Sequence, residues 1–345
     1  TDAKGKVTRL TSREGTNSAM FSTSFKDFVN TYSSIDCPPL YQVCDATGKT
    51  LRVLEDNKEL LSRLSGKNLG KKEFFTFKTS EGVELNGWII KPWNFDPNKK
   101  YPVIMTQYGG PGSQQVKDMW NIGNCGSSSL EQYMGQQGFI SVCVDGRGTG
   151  GRGAKFEKQT YLHLGVLEAK DQVETALYLQ TLPYVDGKRI GIWGWSYGGF
   201  QTLMSMSICS MENGLTGNAS FGNNAGNSPF RCGIAVAPVT DWRLYDSAYT
   251  ERYMQRPELN PRGYENSALP QLAEHLQGRA LIVHGLADDN VHAQNAFLYV
   301  EALVRAGKQF EMQIYPDDNH FLRRRSNYNH LYHRMLDFLH QNLAL

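Results

Sequence analysis

The chain contains 345 residues, of which 36 are Lys or Arg, 34 are Asp or Glu and 40% are apolar. This composition is typical of a globular protein and excludes collagen-like and disordered classes. The formal net charge of +2 provides no field that would attract nucleic acid or anionic lipid. No stretch approaches the roughly 18 consecutive apolar residues of a membrane span, and the six Cys lack zinc-ligand spacing. We therefore expect no nucleic-acid partner, no membrane span and no metal.

Residues 1–54 contain short runs rich in Thr, Ser, Val, Phe and Tyr, which predict antiparallel strands. Four short strands correspond to about one blade of a β-propeller, which is not stable alone. We therefore expect residues 1–54 to be the C-terminal end of a larger, propeller-like domain. The helical apolar spacing at 54–64, with Gly66 as a stop, predicts that 55–70 is a connector helix.

A second domain is predicted from residue 71 to residue 345. It opens with an alternating pattern typical of a hairpin, 74–79 and 83–91. Apolar strand runs then alternate with helical stretches, which predicts an α/β domain with a mostly parallel sheet covered on both faces. The Gly- and Asn-rich stretch 211–230 predicts a surface loop. The predicted strands are 103–106, 140–144, 190–193, 233–237, 280–284 and 310–315, and the predicted helices are 167–182, 200–209, 294–306 and 328–343.

The motif Gly194-Trp195-Ser196-Tyr197-Gly198 is a G-x-S-x-G sequence between a strand run and a helical run. A serine at such a turn projects above the sheet edge, where reactive groups of parallel sheets collect. It can act as a nucleophile if a histidine accepts its proton and a carboxylate orients that histidine. The alternative is a solvated serine in an ordinary Gly-rich turn.

The order of such a triad along an α/β chain is serine, acid, histidine. His320 is the preferred base, because it follows the strand run 310–315 in a polar loop. Asp288 and Asp289 both follow the strand run that ends at residue 284, and Asp241 follows the preceding one. We favour Asp288 over Asp289, with Asp241 as a third candidate.

Acyl transfer also needs hydrogen-bond donors for the developing oxyanion. The backbone N–H of Tyr197, directly after the serine, is one predicted donor. The second is expected from the loop 107–112, either as a glycine amide or as the Tyr108 hydroxyl.

A rival motif, Gly146-x-Gly148-x-x-Gly151, follows the strand run 140–144, and Glu168 lies about twenty residues further on, as in a dinucleotide fingerprint. The next residues, 152–163, lack helical periodicity, so the helix that would receive a pyrophosphate is late. We interpret the motif as a loop near the active site and expect no cofactor.

With YGGPGS, DGRGTGGRG, GWSYGGF, GLADDNVH and a late histidine in one order, nearly the whole chain resembles the prolyl oligopeptidase family of serine peptidases. The segments RVLEDN and APVTDWRLYDSAYTERYM resemble its dipeptidyl peptidase IV branch, whose members remove Xaa-Pro or Xaa-Ala dipeptides from peptide N-termini. The resemblance implies an α/β-hydrolase fold preceded by the end of a β-propeller. It also implies Ser196, Asp288 and His320 as the triad, and the Tyr108 hydroxyl as the second oxyanion donor.

The resemblance further implies a pocket for the proline ring, with Asn290 holding a substrate carbonyl. A flat, aromatic-lined slot suits a pyrrolidine ring, although an ordinary aromatic core cluster is the alternative. The pocket residues implied are Tyr197, Val239, Trp242, Tyr245, Tyr249 and Val291.

Family analogy also implies a homodimer that uses the C-terminal helix, an extracytoplasmic location and peptide partners with proline or alanine at the second position. One departure from the family pattern is Phe321, since glycine usually follows the histidine. The alternatives are a prolyl endopeptidase or acylaminoacyl-peptidase of the same family, an esterase or lipase, and a non-catalytic interaction protein of the same fold.

Overall fold

The computed structural model describes residues 5–120, 127–211 and 227–343. Most of the predicted surface loop, 212–226, lies outside the described residues. Residues 16–55 form a four-stranded antiparallel sheet in the order β1-β2-β3-β4, as predicted. The strands are β1 (Thr16–Phe21), β2 (Asp27–Ser34), β3 (Cys37–Asp45) and β4 (Thr50–Glu55).

A helix, α1 (Lys58–Leu64), follows this sheet and has no buried residue. It lies within the stretch predicted to be helical. Asp118, from the following part of the chain, holds the antiparallel sheet: its carboxylate accepts the Ile35 amide at 2.8 Å, and its carbonyl accepts the Thr16 hydroxyl at 2.7 Å.

The second sheet has eight strands in the order β12-β11-β10-β9-β7-β8-β6-β5. The six strands from β7 to β12 are parallel, whereas β6 is antiparallel to β8 and forms a hairpin with β5. The mostly parallel sheet and the opening hairpin are therefore confirmed. The strands are β5 (Lys72–Lys78), β6 (Glu84–Ile90), β7 (Tyr101–Thr106), β8 (Ile140–Asp145), β9 (Val185–Trp195), β10 (Cys232–Val236), β11 (Arg279–Gly285) and β12 (Phe310–Tyr315).

Helices cover both faces of this sheet. Apolar side chains of α4, α5 and α8 pack in one core cluster, and those of α2 and α9 pack in a second cluster on the other face. The described α-helices of this part are α2 (Ser127–Gln136), α3 (Ala154–Glu157), α4 (Val166–Gln180), α5 (Tyr197–Ser207), α6 (Ser247–Met254), α7 (Pro261–Ser267), α8 (Gln294–Arg305) and α9 (Arg325–Leu343). In the described part of the chain, no helix is both long and apolar enough to cross a bilayer.

The short helices α6 and α7 were not predicted, because they are too short and polar to show a clear apolar period. Their capping residues were the available signal. The Asp246 side chain accepts the Tyr249 amide at the start of α6, and the Asn260 side chain accepts the Gly263 amide at the start of α7, where Pro261 occupies the first turn.

Candidate active site

The G-x-S-x-G motif forms a sharp turn between β9 and α5. Ser196 has φ 60° and ψ −116°, a conformation that residues with a side chain rarely adopt. A Cβ on Gly194 would lie 2.5 Å from the Gly198 carbonyl, and a Cβ on Gly198 would lie 2.4 Å from Gln107 O. Glycine at both positions therefore allows the backbones to approach this closely. The Ser196 amide donates to Val236 O at 2.8 Å, which fixes the turn to β10.

The backbone conformation of Ser196 predicts an unusual order of stability. We expect the free energy of unfolding of Ser196→Gly to be about 1 kcal/mol higher than that of Ser196→Ala. Glycine relieves backbone strain of about 1–3 kcal/mol, and this gain exceeds its entropic cost of ~0.5–1 kcal/mol. Urea denaturation of the two variants measures the difference. Both lack the hydroxyl, so the comparison reports conformation alone.

Ser205, in the interior of α5, provides the matched control. There we expect the opposite order, with Ser205→Gly less stable than Ser205→Ala by about 1 kcal/mol, because glycine is unfavourable within a helix. The same order at both positions would contradict strain at Ser196.

A histidine and a carboxylate meet beyond the carboxyl ends of β11 and β12. His320 Nδ1 lies 2.8 Å from Asp288 Oδ2, and both side chains are buried. The other oxygen, Asp288 Oδ1, accepts the amides of Asn290 and Val291 at 3.0 and 2.8 Å. These amides fix the carboxylate, which in turn fixes the imidazole, so Nε2 is the nitrogen that can exchange a proton with a nucleophile.

A second histidine supports the same carboxylate. His284 Nε2 lies 3.3 Å from Asp288 Oδ2 and 2.7 Å from Val291 O. Burial by itself would raise the pKa of Asp288, but hydrogen bonds from His284 and His320 outweigh burial and hold that pKa well below its usual range. Asp288 is therefore ionised at neutral pH. His284 was not among the predicted site residues, although a histidine within a buried apolar strand was a usable signal.

The loop that carries His320 is attached to the nucleophile turn. The Trp195 indole N–H, from the residue before Ser196, donates to His320 O at 2.9 Å. A Cβ on Gly285 would lie 2.3 Å from Asp318 O, so glycine at the end of β11 allows the loop after β12 to cross closely. The structure thus brings the serine turn, the acid and the histidine to one edge of the sheet.

The two other acid candidates are placed differently. Asp289 is exposed, although it is the next residue in the chain. Asp241 forms an ion pair with Arg243 at 2.7 Å and caps a short 3-10 helix through the Arg243 amide. Neither position matches that of Asp288, which is hydrogen-bonded to His320.

The loop after β7 carries Tyr108 and lies against the serine turn. Gln107 Nε2 donates to Gly198 O at 2.7 Å and to Thr202 Oγ1 at 3.1 Å, which ties the loop to α5. The Tyr108 and Tyr197 ring centroids are 5.9 Å apart. Burial raises the pKa of Tyr108, so its hydroxyl stays protonated and can donate a hydrogen bond. Gln107 was predicted only as part of the loop 107–112, although a polar residue directly after an apolar strand was a usable signal.

The Gly-rich loop that resembles a dinucleotide fingerprint supports the Tyr108 loop instead. The Gly112 amide donates to Gly148 O at 3.0 Å, and the Gly150 amide donates to Ser113 O at 2.8 Å. The next long helix, α4, begins only at Val166, too late to present its N-terminus to a pyrophosphate held by this loop. This arrangement agrees with its interpretation as a loop near the active site.

The predicted pocket residues lie in one aromatic cluster beside the serine turn. The Trp242 ring centroid lies 5.3 Å from that of Tyr197 and 6.0 Å from that of Tyr249. The Tyr245 hydroxyl donates to Asn290 Oδ1 at 2.8 Å, which places the amide next to the cluster. The remaining predicted pocket residues are buried in the same core cluster: Val239 and Val291.

Residues 126–209 and 214–345 match the model of the prolyl oligopeptidase family. The chain is 40% identical over 290 residues to the probable dipeptidyl-aminopeptidase B of Arthroderma otae, covering 83% of this chain and 29% of that protein. It is 41% identical over 287 residues to the protein of the same name from Talaromyces marneffei, covering 82% of this chain and 29% of that protein.

The crystal structure of Porphyromonas gingivalis dipeptidyl peptidase 4 superposes with a TM-score of 0.90 and 48% identity, covering 99% of this chain and 45% of that one. This likeness and the mostly parallel sheet confirm the predicted α/β-hydrolase fold. The chain spans less than a third of the curated relatives named here and less than half of the solved structure. Its relatives are of the dipeptidyl peptidase type, as its motifs predicted, and the chain belongs to the prolyl oligopeptidase family of serine peptidases.

Proposed function

We propose that this chain is the catalytic part of a serine exopeptidase that releases N-terminal Xaa-Pro or Xaa-Ala dipeptides through an acyl-enzyme intermediate. In this proposal Ser196 is the nucleophile, His320 the general base and Asp288 the carboxylate that orients it. The observation that carries the proposal is the buried 2.8 Å bond between His320 Nδ1 and Asp288 Oδ2, formed on a loop that is bonded to Trp195 next to the serine.

The mechanism follows from the roles of these three groups. Ser196 Oγ attacks the carbonyl carbon of the second substrate residue while His320 Nε2 accepts its proton. The imidazolium then gives this proton to the leaving amine, and the C–N bond breaks to leave an ester on Ser196. A water molecule, deprotonated by His320, attacks the ester, and Ser196 regains its proton as the dipeptide leaves. Asp288, with its lowered pKa, remains ionised and stabilises the imidazolium throughout.

Two donors are proposed for the oxyanion of each tetrahedral intermediate. The Tyr197 N–H is the first amide of α5, where the partial positive charge of the helix N-terminus favours an anion. The Tyr108 hydroxyl is the second donor, and its raised pKa keeps the proton on the phenol at neutral pH. The contact between the Tyr108 and Tyr197 rings supports this pairing of donors.

The role of the Tyr108 hydroxyl predicts the effect of removing it. We expect Tyr108→Phe to lower kcat by about 100- to 1000-fold, as loss of one oxyanion donor does elsewhere, with little change in KM. The measurement is steady-state hydrolysis of a Gly-Pro amide by the full-length protein. Tyr161→Phe, which removes an exposed hydroxyl bonded to Gln255, should keep the parental rate. A Tyr108→Phe variant with parental kcat would instead favour a glycine amide of the same loop as donor.

The aromatic cluster next to Tyr197 is the proposed pocket for the second substrate residue. Burial of the pyrrolidine methylenes, at about 0.8 kcal/mol each, favours proline over smaller residues there. Asn290, held by Tyr245, is proposed to bind a substrate carbonyl. The proposed pocket residues are Tyr197, Val239, Trp242, Tyr245, Tyr249 and Val291.

A chromogenic Gly-Pro amide and its N-acylated form test this substrate class. We expect the full-length protein to hydrolyse the free form and to reject the blocked form. Preference for the blocked form would favour an acylaminoacyl-peptidase or endopeptidase, and faster hydrolysis of a butyrate ester would favour an esterase. Failure of the intact protein to react with a fluorophosphonate probe would favour a non-catalytic interaction protein.

The proposal extends to the domain organisation, with 1–54 as the end of a β-propeller, 55–70 as a connector and 71–345 as the catalytic domain. The support is that the four-stranded sheet leaves apolar side chains uncovered, including Met20 at 70% and Leu51 at 55% exposure, as expected if more of a domain packs there.

By family analogy we also propose a homodimer that uses α9 and an extracytoplasmic location. Light scattering of the full-length protein tests the dimer.

A further inference from the structure

Glu168 is a buried carboxyl group that the proposed mechanism does not use. It is 1% exposed and lies in the first turn of α4. Its Oε1 accepts the Tyr197 hydroxyl at 2.7 Å, and its Oε2 accepts the Gly165 amide at 3.0 Å. Both donors are neutral, so neither supplies a counter-charge to an ionised carboxylate.

The environment of Glu168 favours the neutral acid. Burial raises the pKa of Glu168 to about 8, although hydrogen bonds from Tyr197 and Gly165 favour the ionised form. The ionisable groups that face Glu168 are Asp171, Tyr197 of α5 and Tyr249 of α6. Asp171 lies one turn further along α4 and is itself bonded to Arg147. Glu168 is therefore mostly protonated at neutral pH and ionises at mildly alkaline pH.

Tyr197 connects this carboxyl to the proposed reaction site. Its amide is the first after Ser196, whereas its hydroxyl end is held by Glu168 on α4. Its ring packs edge-on against Phe200 at 5.5 Å and contacts Trp242 at 5.3 Å. One side chain therefore spans the distance from the serine turn, along the aromatic pocket, to α4.

The position of Glu168 is itself tightly constrained. Gly165, the residue before α4, has φ 89°, and a Cβ there would lie 2.4 Å from the Phe200 ring. The start of α4 therefore presses directly against α5, with little room for relative movement. Glu168 consequently holds the Tyr197 hydroxyl at a well-defined point.

We propose that Glu168 is a positioning residue that, through the Tyr197 hydroxyl, fixes the ring lining the pocket and so sets the preference for proline over alanine. This inference rests on the proposed function. A pyrrolidine ring has more apolar surface to place against the Tyr197 ring than a methyl group has. Displacement of the ring therefore weakens proline substrates more than alanine substrates.

The test compares Glu168→Leu, Glu168→Gln and Tyr197→Phe in the full-length protein, with Gly-Pro and Gly-Ala amides and with active sites counted by a fluorophosphonate. Glu168→Leu leaves the Tyr197 hydroxyl buried without a partner, so we expect kcat/KM for Gly-Pro to fall about 10- to 100-fold. The loss should be mainly in KM, and the Pro/Ala ratio should fall at least about fivefold. Glu168→Gln keeps the size and the hydrogen bond and should rescue both values.

Tyr197→Phe removes the other half of the same bond. It should lower the Pro/Ala ratio in the same direction, and the double variant with Glu168→Leu should be little worse than either single change, because both remove one interaction. The Tyr197→Phe single variant remains informative if Glu168→Leu does not fold. Fully additive losses would overturn the inference.

The pH profile provides a readout that a merely structural role would not move. Above about pH 8 the parent acquires an uncompensated anion behind the tyrosine whose amide serves the oxyanion, so its kcat/KM should fall. The substrate amine titrates in the same region, at about pH 8, and lowers kcat/KM for both proteins. Because Glu168→Gln cannot ionise, the ratio of parental to Glu168→Gln kcat/KM should fall above about pH 8. The matched control is Glu131→Gln, which removes another buried carboxyl, with its pKa also raised to about 8 by burial, on α2 at the opposite face of the sheet. Glu131→Gln should keep the parental pH profile and the parental Pro/Ala ratio.

The activity of the parent on Gly-Pro distinguishes a failure of the Glu168 role from a failure of the proposed function. If the parent cleaves Gly-Pro and Glu168→Leu changes only stability or the number of active sites, Glu168 is structural and the inference is wrong. A ratio of parental to Glu168→Gln kcat/KM that stays constant above about pH 8 would also overturn it. A parent that does not cleave Gly-Pro would overturn the proposed function together with this inference.

Discussion

Replacing Ser196 with alanine should reduce kcat for a Gly-Pro amide by about 10⁵- to 10⁶-fold, as removal of a triad nucleophile does in a serine peptidase. The large effect is expected because no other group can form the ester at this turn, whereas pocket and oxyanion donors remain. KM should change little. Alanine has a Cβ, as serine does, so the backbone strain at this turn is the same as in the parent.

Covalent labelling with a fluorophosphonate checks this prediction directly, since only an activated serine reacts. The parent should be labelled at Ser196, and Ser196→Ala should not be labelled. Ser205→Ala is the control, because Ser205 is buried in α5 and bonded to Gln201 O. Residual labelling or turnover near the parental level in Ser196→Ala would mean that another residue is the nucleophile.

Replacing Asp288 with asparagine should lower kcat by about 10⁴-fold, the effect expected when the carboxylate that orients a catalytic imidazole becomes an amide. The new side-chain amide can present its N–H group to His320 Nδ1 and thereby favour the wrong tautomer. Asp289→Asn is a closely matched control, because the exposed neighbour loses the same charge one residue away. It should stay within about twofold of the parent, as most surface substitutions do.

The pH dependence of stability should distinguish the same two aspartates. The pKa of Asp288 is lower in the folded protein than its ordinary value, so its contribution to stability is present above the unfolded-state pKa, roughly 4. That contribution is lost as pH falls toward the folded-state pKa. Asp288→Asn should therefore flatten the acid side of the stability profile, whereas Asp289→Asn should not. Inactivation by Asp289→Asn with Asp288→Asn active would reverse the assignment.

The sequence was sufficient to predict the sheet and the serine turn because these depend on local patterns. Apolar runs indicate buried strands whatever they pair with, and the two glycines around Ser196 are demanded by the turn itself. His320 could be preferred because it follows a strand in a polar loop. These inferences need only residues close together in the chain.

Pairing between distant elements could not be obtained in this way. Asp288 and Asp289 have nearly the same spacing to β11, and which of them turns inward depends on how the loop after β12 crosses Gly285. Glu168 had the spacing of a ribose-binding acid, but α4 packs on α5, so it contacts Tyr197 instead. Local periodicity does not report which face of one helix meets another.

The proposed nucleophile and base follow different strands of the eight-stranded sheet, and this difference affects how activity is lost on heating. Ser196 follows β9, which has paired strands on both sides, whereas His320 follows β12, which lies at one edge of the sheet. Outer strands open locally at lower free energy than central ones. Warming should therefore detach the imidazole while the middle of the sheet still protects its amides from hydrogen exchange, and turnover should disappear before the far-ultraviolet circular dichroism changes.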